Sequence, residues 1–499
     1  MPKVTIDGLE IEVPKGATIL EACEQAKVRI PFFCYHPALS IAGNCRMCLV
    51  EVEKMPKLAI ACNTTVMDGM VVRTTTDKVK KAQQGVLEIM LANHPLDCPI
   101  CDQAGECGLQ DRYMEFSGQV SRFREAKIEK PKRKAFSDLI MYDGERCILC
   151  SRCVRFCDEI TKDKELGIFE RGAHSVVDTF GDGKLTSGYQ LCLADICPVG
   201  ALTSRDFRFK CRSWYLTATP SVCTKCARGC SILVDSKDGA VQRYRPRKNP
   251  DVNAFWMCDE GRLTYKEIAD NRVTEPLVRD ASGKLVPASW DEAVALVVKK
   301  FKAAQGSVGL VASAFETNEA NFALKKLAEA IGASLGTTPA EAAMGKGDDL
   351  LKLADKTPNR TGLSMLGLSG DVSAAKALLV MGSDLAPEAA AKLDFLVVAT
   401  PFLTPLAEKA NVVLPTAHAA EQFGSYTNFQ KIVQKTERGV AAPGGALPAY
   451  QAISKIGEGL GAKIPTCPAA LFKAIAAEAE AFSDLTWAML DPCGGPCKE

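Results

Sequence analysis

Twenty-two cysteines, nineteen of them before residue 259, constrain this chain more than any other feature of its sequence. A secreted scaffold stapled by disulfides is usually small, and 499 residues exceed the size at which one hydrophobic core stops growing. The first residues, MPKVTIDGLEIEVP, alternate polar and apolar and carry acids, so they do not read as a secretory signal. Many of the cysteines stand two residues apart, a spacing that rarely closes a disulfide but readily shares a metal centre. In a reducing compartment such thiols are expected as ligands of a soft metal.

The bulk numbers fit a folded, multidomain chain. Hydrophobic residues make up 47% and charged residues 24%, which argues against wholesale disorder. A net charge of +1 gives no electrostatic footprint for nucleic acid, and the basic run Lys130 to Lys134 is expected to be a solvated loop. No run reaches the roughly 18 apolar residues that a membrane helix needs. The longest apolar stretches, such as Ala377 to Met381 and Phe395 to Ala399, suit buried strands.

Four ligand sets emerge from the spacing. The first is Cys34, Cys45, Cys48 and Cys62, C-x10-C-x2-C-x13-C. It follows Lys3 to Ile6, an Asp7-Gly8 turn and Leu9 to Val13, a hairpin signal. Thr18 to Lys27 then reads as a helix whose Thr18 and Glu21 form a capping box. A hairpin, a helix and then a cysteine loop are how a β-grasp ferredoxin begins, and four thiolates suit a 2Fe–2S cluster. Zinc, which also takes four cysteines, is the alternative.

The second set is His94, Cys98, Cys101 and Cys107, H-x3-C-x2-C-x5-C. Three cysteines leave one iron of a 4Fe–4S cube without a ligand, and His94 can supply it. A neutral imidazole in place of a thiolate should raise the reduction potential, as it does in Rieske centres. His36, His174 and His418 have no such company and read as structural. The third set is Cys147, Cys150 and Cys153, completed by Cys197 before Pro198, half of a bacterial two-cluster pattern. A second cube built on Cys157 would need three more cysteines, and only Cys192 and Cys211 are near, so these three are expected to be buried thiols. The fourth set, Cys223, Cys226, Cys230 and Cys258, is again complete for 4Fe–4S. Together the sets use 15 cysteines and one histidine, leaving Cys23, Cys157, Cys192, Cys211, Cys467, Cys493 and Cys497. The last two lie in a glycine-rich end, where a frayed terminus is the expected reading.

The segments IPFFCYHPALSIAGNCRMCLVEVE, NHPLDCPICDQAGECGLQD, DGERCILCSRCVRFCDEI and CPVGALTS together resemble the iron–sulfur-rich G subunit of NADH:quinone oxidoreductase, respiratory complex I. The fourth set with WMCDEGRLTYKEIADNRVTEPLVR resembles the opening domain of molybdopterin oxidoreductases. The resemblance is dense over the first 275 residues and weaker in SWDEAVALVVKKF, ALLVMGSDLAPEAA and ANVVLPTAHAAEQFGSYTNFQKIVQ. It implies one 2Fe–2S and three 4Fe–4S clusters; the first three pass single electrons from a flavin on an NADH-binding partner toward quinone, and the cluster of Cys223, Cys226, Cys230 and Cys258 lies off that main chain of centres. It also implies other iron–sulfur subunits as partners, a membrane arm reached only through them, and a peripheral place on the cytoplasmic side.

The fold class expected is multidomain α+β and α/β. The divisions are a β-grasp 2Fe–2S ferredoxin (1–77), a His/Cys 4Fe–4S domain (78–117) and a ferredoxin-like 4Fe–4S domain (138–215). A molybdopterin-oxidoreductase-type 4Fe–4S domain (216–275), a shortened, degenerate α/β domain without molybdopterin (276–480) and a tail (481–499) follow. No cysteine lies between Cys258 and Cys467 to ligate molybdenum. Trp290 to Phe301 shows helical spacing behind Ser289, and Val308 to Ala312 reads as a parallel strand. There is no phosphate-binding glycine motif and no Ser/His/Asp arrangement, so no chemistry on a substrate bond is expected of this chain. The same first three sets also suit the electron-input subunit of an NAD-linked hydrogenase, a formate dehydrogenase or an electron-bifurcating reductase. A molybdenum enzyme in its own right is the remaining oxidoreductase alternative.

Overall fold

Alternation at the N-terminus becomes a hairpin. Lys3–Ile6 pairs antiparallel with Leu9–Glu12 through Asp7 and Gly8, both at positive φ, as a tight turn of this hand requires. The computed structural model describes residues 1–117, 120–181, 183–337, 343–382, 385–490 and the backbone of 495–496. They fall into two compact units, Met1–Tyr215 and Leu216–Glu499.

In the first unit, Lys3–Ile6 also runs parallel to Met70–Arg73, in a five-stranded sheet with Leu49–Val52 and Ala59–Ile60. The helix Ile19–Gln25 starts at the Thr18/Glu21 capping box. It buries Ile19, Leu20, Ala22 and Cys23 against Val4, Ile6, Val50 and Val72, the β-grasp arrangement. Asp77–Ala92, capped by Thr76, leads into the second cysteine segment, which ends in the helix Gly108–Phe116. Lys134–Ala135, Ile140–Tyr142 and Leu202–Ser204 then form a small antiparallel sheet, beside the helices Arg152–Glu159 and Cys192–Ile196. The basic run is more tied down than a solvated loop. Lys130 donates to the Ser175 carbonyl, Lys132 pairs with Asp97 (2.9 Å) and Glu145 (2.5 Å), and Lys134 pairs with Asp178 (2.6 Å).

The second unit opens with the antiparallel strands Thr217–Val222, Ser231–Lys237 and Ala240–Pro246. Its main sheet has seven strands. Val412–Pro415, Phe395–Thr400, Ala377–Met381, Val308–Ala312 and Ser334–Thr337 are parallel neighbours, and Leu277–Arg279 and Leu285–Pro287 extend one edge antiparallel. Both faces of the parallel part are covered, which is why its strands are apolar without alternation. Leu310, Leu379 and Val397 face the helices Trp290–Ala303, Asn318–Ile331, Ala449–Leu460 and Pro468–Glu478. Val311, Val380 and Val398 face a second apolar layer built on Val273, Leu406 and Ala410. Phe482, Leu485 and Leu490 pack into the first of these layers, although the sequence division places them in the tail. Short 3-10 turns carry Phe482 and Leu490 and an irregular stretch carries Leu485, so no helical periodicity marks them. Among the described residues, no helix is long and apolar enough to cross a membrane.

Candidate metal centres

The first set is assembled by the loop between the β-grasp helix and Leu49–Val52, with Cys62 supplied by the turn Ala61–Asn63. The Ala61 N–H donates to the Cys48 carbonyl at 3.0 Å and holds that turn under the loop. The thiols of Cys45 and Cys62 are directed at the Cys34 sulfur, and Cys62 also reaches Cys48. Donation from Cys45, then Cys62, holds Cys34 far below the ordinary thiol range, and donation from Cys62 lowers Cys48. Four sulfurs close enough to exchange hydrogens, two of them favoured as thiolates, make a donor set suited to a soft metal. Three are buried and Cys45 is half-buried.

His94, Cys98, Cys101 and Cys107 open onto one cavity of about 490 Å3. Cys101 and Cys107 are buried and Cys98 is exposed. Burial, and then the charge of Arg146, push His94 down to about 4, which leaves the imidazole neutral and able to ligate. Arg146 is held by Asp97 through two bonds of 3.1 and 2.9 Å and by Asp143 at 3.3 Å. The cavity wall includes Gly200, three residues after Cys197. A methyl group there would stand 2.3 Å from the Cys101 sulfur.

Cys147, Cys150, Cys153 and Cys197 line a separate small cavity with Tyr142 and Val177. Burial, then the neighbouring Cys150, Cys147 and Cys197, push the Cys153 thiol well up, so the four sulfurs sense one another. Leu149 and Ser151 both adopt left-handed backbone without being glycine, a strain typical of functional loops. The result aims the Leu149 N–H at the Cys147 sulfur, 3.4 Å away. Cys157 lies one turn along the helix, buried, and pushed up by burial and then Asp163 and Glu165. We expect Cys157→Ala to leave the iron count of the purified chain unchanged; loss of about four irons would make Cys157 a ligand.

The fourth set is wholly buried, and burial followed by Cys223, Cys226 and Cys258 pushes Cys230 well up. Cys258 caps the helix Asp259–Leu263, where the Gly261 N–H donates to its sulfur at 3.3 Å. A Cβ on Gly261 would meet Cys223 Sγ at 2.9 Å, so the glycine keeps the sulfur pocket open. The ligand loop is also gripped from far along the chain. Gln434 Nε2 donates to the Gly229 carbonyl (2.7 Å), the Phe429 N–H to the Ala227 carbonyl (3.0 Å) and the Ala227 N–H to the Asp355 carbonyl (3.0 Å).

The structure therefore places the members of each of the four expected sets near one another. Among the described residues, no group of three or more His, Cys, Asp or Glu side chains draws together around a single ion. Of the remaining histidines, His36 accepts from the Ala38 N–H (3.2 Å), His418 accepts from the Ala420 N–H (3.3 Å) and His174 is exposed. Cys23 sits in the β-grasp core, where burial pushes it up to about 12. Cys192 is buried, but Cys211 is only half-buried, unlike the expectation, and Cys467 is exposed. Cys493 and Cys497 lie outside the described residues. Sequence reading missed Arg146, Gly200, Gly261 and Gln434. Gly200 and Gly261 each sit three residues after a cysteine of a candidate set, a signal within reach; Gln434 has none.

A β-grasp domain, two further cysteine-rich domains and a 4Fe–4S domain joined to a doubly covered parallel sheet define an oxidoreductase component of the iron–sulfur class. Family models match in that order. They are a 2Fe-2S iron-sulfur cluster binding domain (residues 2–77), the NADH-ubiquinone oxidoreductase-G iron-sulfur binding region (83–122) and the ferredoxin-like domain of NADH-quinone oxidoreductase subunit 3 (137–203). The molybdopterin oxidoreductase Fe4S4 domain (216–270) and molybdopterin oxidoreductase itself (272–391 and 358–459) complete the series. The NADH-quinone oxidoreductase G subunit of Rickettsia conorii is 44% identical over 335 residues, 67% of this chain and 50% of that protein. The mitochondrial NADH dehydrogenase [ubiquinone] iron-sulfur protein 1 of Solanum tuberosum is 43% identical over 334 residues, 66% of this chain and 45% of that protein. A solved NAD+-reducing [NiFe]-hydrogenase in the H2-reduced state is 28% identical at a TM-score of 0.39, covering 42% of this chain and 90% of its own. Over about two thirds of its length the chain is similar to G subunits of NADH-quinone oxidoreductase. It spans about half the length of the curated relatives it matches.

Proposed function

We propose that this chain is an electron-transfer subunit of an NADH:quinone oxidoreductase. The observation that carries the reading is the gathering of all four cysteine-rich sets, in the order of the G-subunit family. The proposed ligands are Cys34, Cys45, Cys48 and Cys62 for one 2Fe–2S cluster. Three 4Fe–4S clusters would be held by His94, Cys98, Cys101 and Cys107; by Cys147, Cys150, Cys153 and Cys197; and by Cys223, Cys226, Cys230 and Cys258. When bound, such clusters supply outer-sphere, one-electron chemistry and make no bond to substrate. The chain's own residues set the terms: thiolates anchor, backbone N–H groups aim at sulfur, and Arg146 puts positive charge beside the second set. The α/β region is proposed to carry no pterin, because no cysteine lies between Cys258 and Cys467 to ligate molybdenum, and Asn318 at the start of Asn318–Ile331 is bonded to the strand Gly424–Thr427. Asn318 Nδ2 donates to Ser425 and Thr427, and Asn359 Oδ1 accepts from the Thr427 N–H. Molybdenum in the purified chain would overturn that part.

The partners proposed are a flavin-bearing, NADH-oxidising subunit and further iron–sulfur subunits, with the assembly peripheral to the membrane on its cytoplasmic side. Tagging the chain in its own cell and isolating what travels with it tests this. Co-purification of membrane subunits with inhibitor-sensitive, NADH-driven quinone reduction is the expected result. Capture of a hydrogenase or formate dehydrogenase without that activity would replace the electron source or sink. The second set makes a sharper prediction. His94→Cys should retain its irons yet lower one midpoint potential, because an added thiolate disfavours the reduced, more negative state. A redox titration identical to the parent's would remove His94 from the ligand set.

A further inference from the structure

The first and third sets lie far apart in sequence, yet one helix serves both. Arg152–Glu159 begins inside the third set and carries its ligand Cys153. Arg152, Arg155 and Glu159 recur along it at spacings of three and four, which places them on one face. That face grips the loop of the first set. Arg155 Nη2 donates to the Cys34 carbonyl at 2.5 Å and to the Cys150 carbonyl at 3.4 Å, so a single nitrogen joins a ligand residue of each set. Its Nη1 donates to the Ser40 carbonyl, and its Nε to the Ser151 hydroxyl at 3.2 Å.

Arg152 repeats the pattern one turn earlier. Its Nη2 donates to the carbonyl of Tyr35, next to Cys34, at 2.6 Å. Its Nη1 donates to the carbonyl of Ile196, next to Cys197, at 3.1 Å. Glu159 closes the latch by accepting from the Ser40 N–H (2.7 Å) and hydroxyl (2.5 Å), and Asn44 donates to the Leu149 carbonyl (3.3 Å). Both arginines direct these hydrogen bonds to uncharged oxygens. Their positive charge therefore remains between two sulfur-rich sites, and the sulfurs of Cys150, Cys197 and Cys34 act on the Arg152 guanidinium.

We propose that Arg155, assisted by Arg152, is a positioning residue that locks the loop of the first cluster onto that of the third and lends positive charge to both. This inference rests on the ligand sets proposed above. A planar guanidinium is needed for the lock, because its fixed fork can serve several carbonyls at once, whereas an ammonium brings the charge without that geometry. The charge and the geometry can therefore be separated by substitution.

The experiment uses the full chain, purified without oxygen with its clusters in place. Parent, Arg155→Lys, Arg155→Gln and Glu159→Gln are compared by iron content, by midpoint potentials and by the magnetic interaction between the two reduced centres. Cys45→Ser and Cys150→Ser assign each signal to its set. Iron should stay at the parent level. Arg155→Lys should weaken the magnetic interaction while leaving both potentials near the parent's. Arg155→Gln should weaken it and also lower both potentials. Glu159→Gln, which loosens the loop without touching either arginine and removes a negative charge, should change the interaction without lowering either potential. Unchanged interaction and potentials in all three variants would overturn the lock. If Cys45→Ser and Cys150→Ser remove no signal from the parent spectrum, the ligand sets themselves fall, and the lock with them.

Discussion

Replacing Gly200 by alanine should strip the second set of the cluster proposed for it, with a loss of about four irons per chain. The added Cβ would lie 2.3 Å from the Cys101 sulfur and 3.1 Å from the Gln103 Cβ, so sulfur and backbone must both shift. Neither has room. Cys101 is tied by its carbonyl to Arg212, and its neighbour Asp102 accepts from the Phe209 N–H at 2.7 Å. The outcome separates two readings of the CPVG segment. Cys197 faces the third set, but Gly200 faces the second, and the Pro198 carbonyl between them receives the Gly108 N–H at 2.9 Å. Iron analysis and spectroscopy should therefore show the third set intact and the second missing. Alanine at Gly188, where an added methyl meets nothing within 4 Å, should leave iron at the parent level. Full iron in Gly200→Ala would show that Cys101 is not held where a cluster needs it.

The second large effect concerns stability. Glu319 is fully buried at the start of the helix Asn318–Ile331 and accepts from the Ser425 N–H (2.8 Å) and hydroxyl (2.7 Å). Burial pushes its carboxyl up to about 7 against the pull of those donors. The folded state thus holds the proton more tightly than the unfolded chain, which releases it near the usual carboxylate range. The contribution of Glu319 to the stability of the second unit should be greatest at acid pH and fall as pH rises toward 7, while His418, pushed down to about 4 by burial and then Arg272, works in the opposite direction. A tenfold change in proton affinity is worth about 1.4 kcal/mol, so the loss is on the order of 3 kcal/mol. Glu319→Gln keeps the shape and the hydrogen-bonding capacity without the charge. It should flatten this dependence and leave the variant more stable than the parent above pH 7. Hydrogen exchange at Ala323, Leu324 and Leu327 on the same helix reads this directly. A variant that follows the parent's pH profile would assign the dependence to other groups.

Much of this was legible before any coordinates. Cysteine spacing named the four candidate sets because thiols borne on one loop lie close in sequence, although Cys62, Cys197 and Cys258 join theirs from other elements. The capping boxes at Thr18 and Ser289 marked helix starts, since their partners, Glu21 and Glu292, stand only three residues away. The strands Val308–Ala312 and Ala377–Met381 declared themselves as apolar runs. Long-range features were silent. Arg155 reaches Cys34 across more than a hundred residues, and nothing in an arginine on a helix discloses which carbonyl it will find. The run at Lys130 to Lys134 looked like solvent-facing charge because Asp97, Glu145 and Asp178 are distant or scattered along the chain. Phe482, Leu485 and Leu490 went unnoticed as core because turns, unlike helices, impose no period on their apolar residues.

The grip of Gln434, Phe429 and Asp355 on the fourth loop bears on the order in which a newly made chain can mature. The first three sets lie wholly within the first 215 residues, in a unit with its own β-grasp core. They are complete while the remainder is still being synthesised. The loop from Cys223 to Cys230 receives its last support only from a strand that ends at Thr436. Domains tend to fold as units in the direction of synthesis. Iron delivery to this chain would then come in two episodes, an early one to the amino-terminal unit and a late one that waits for the carboxyl-terminal sheet.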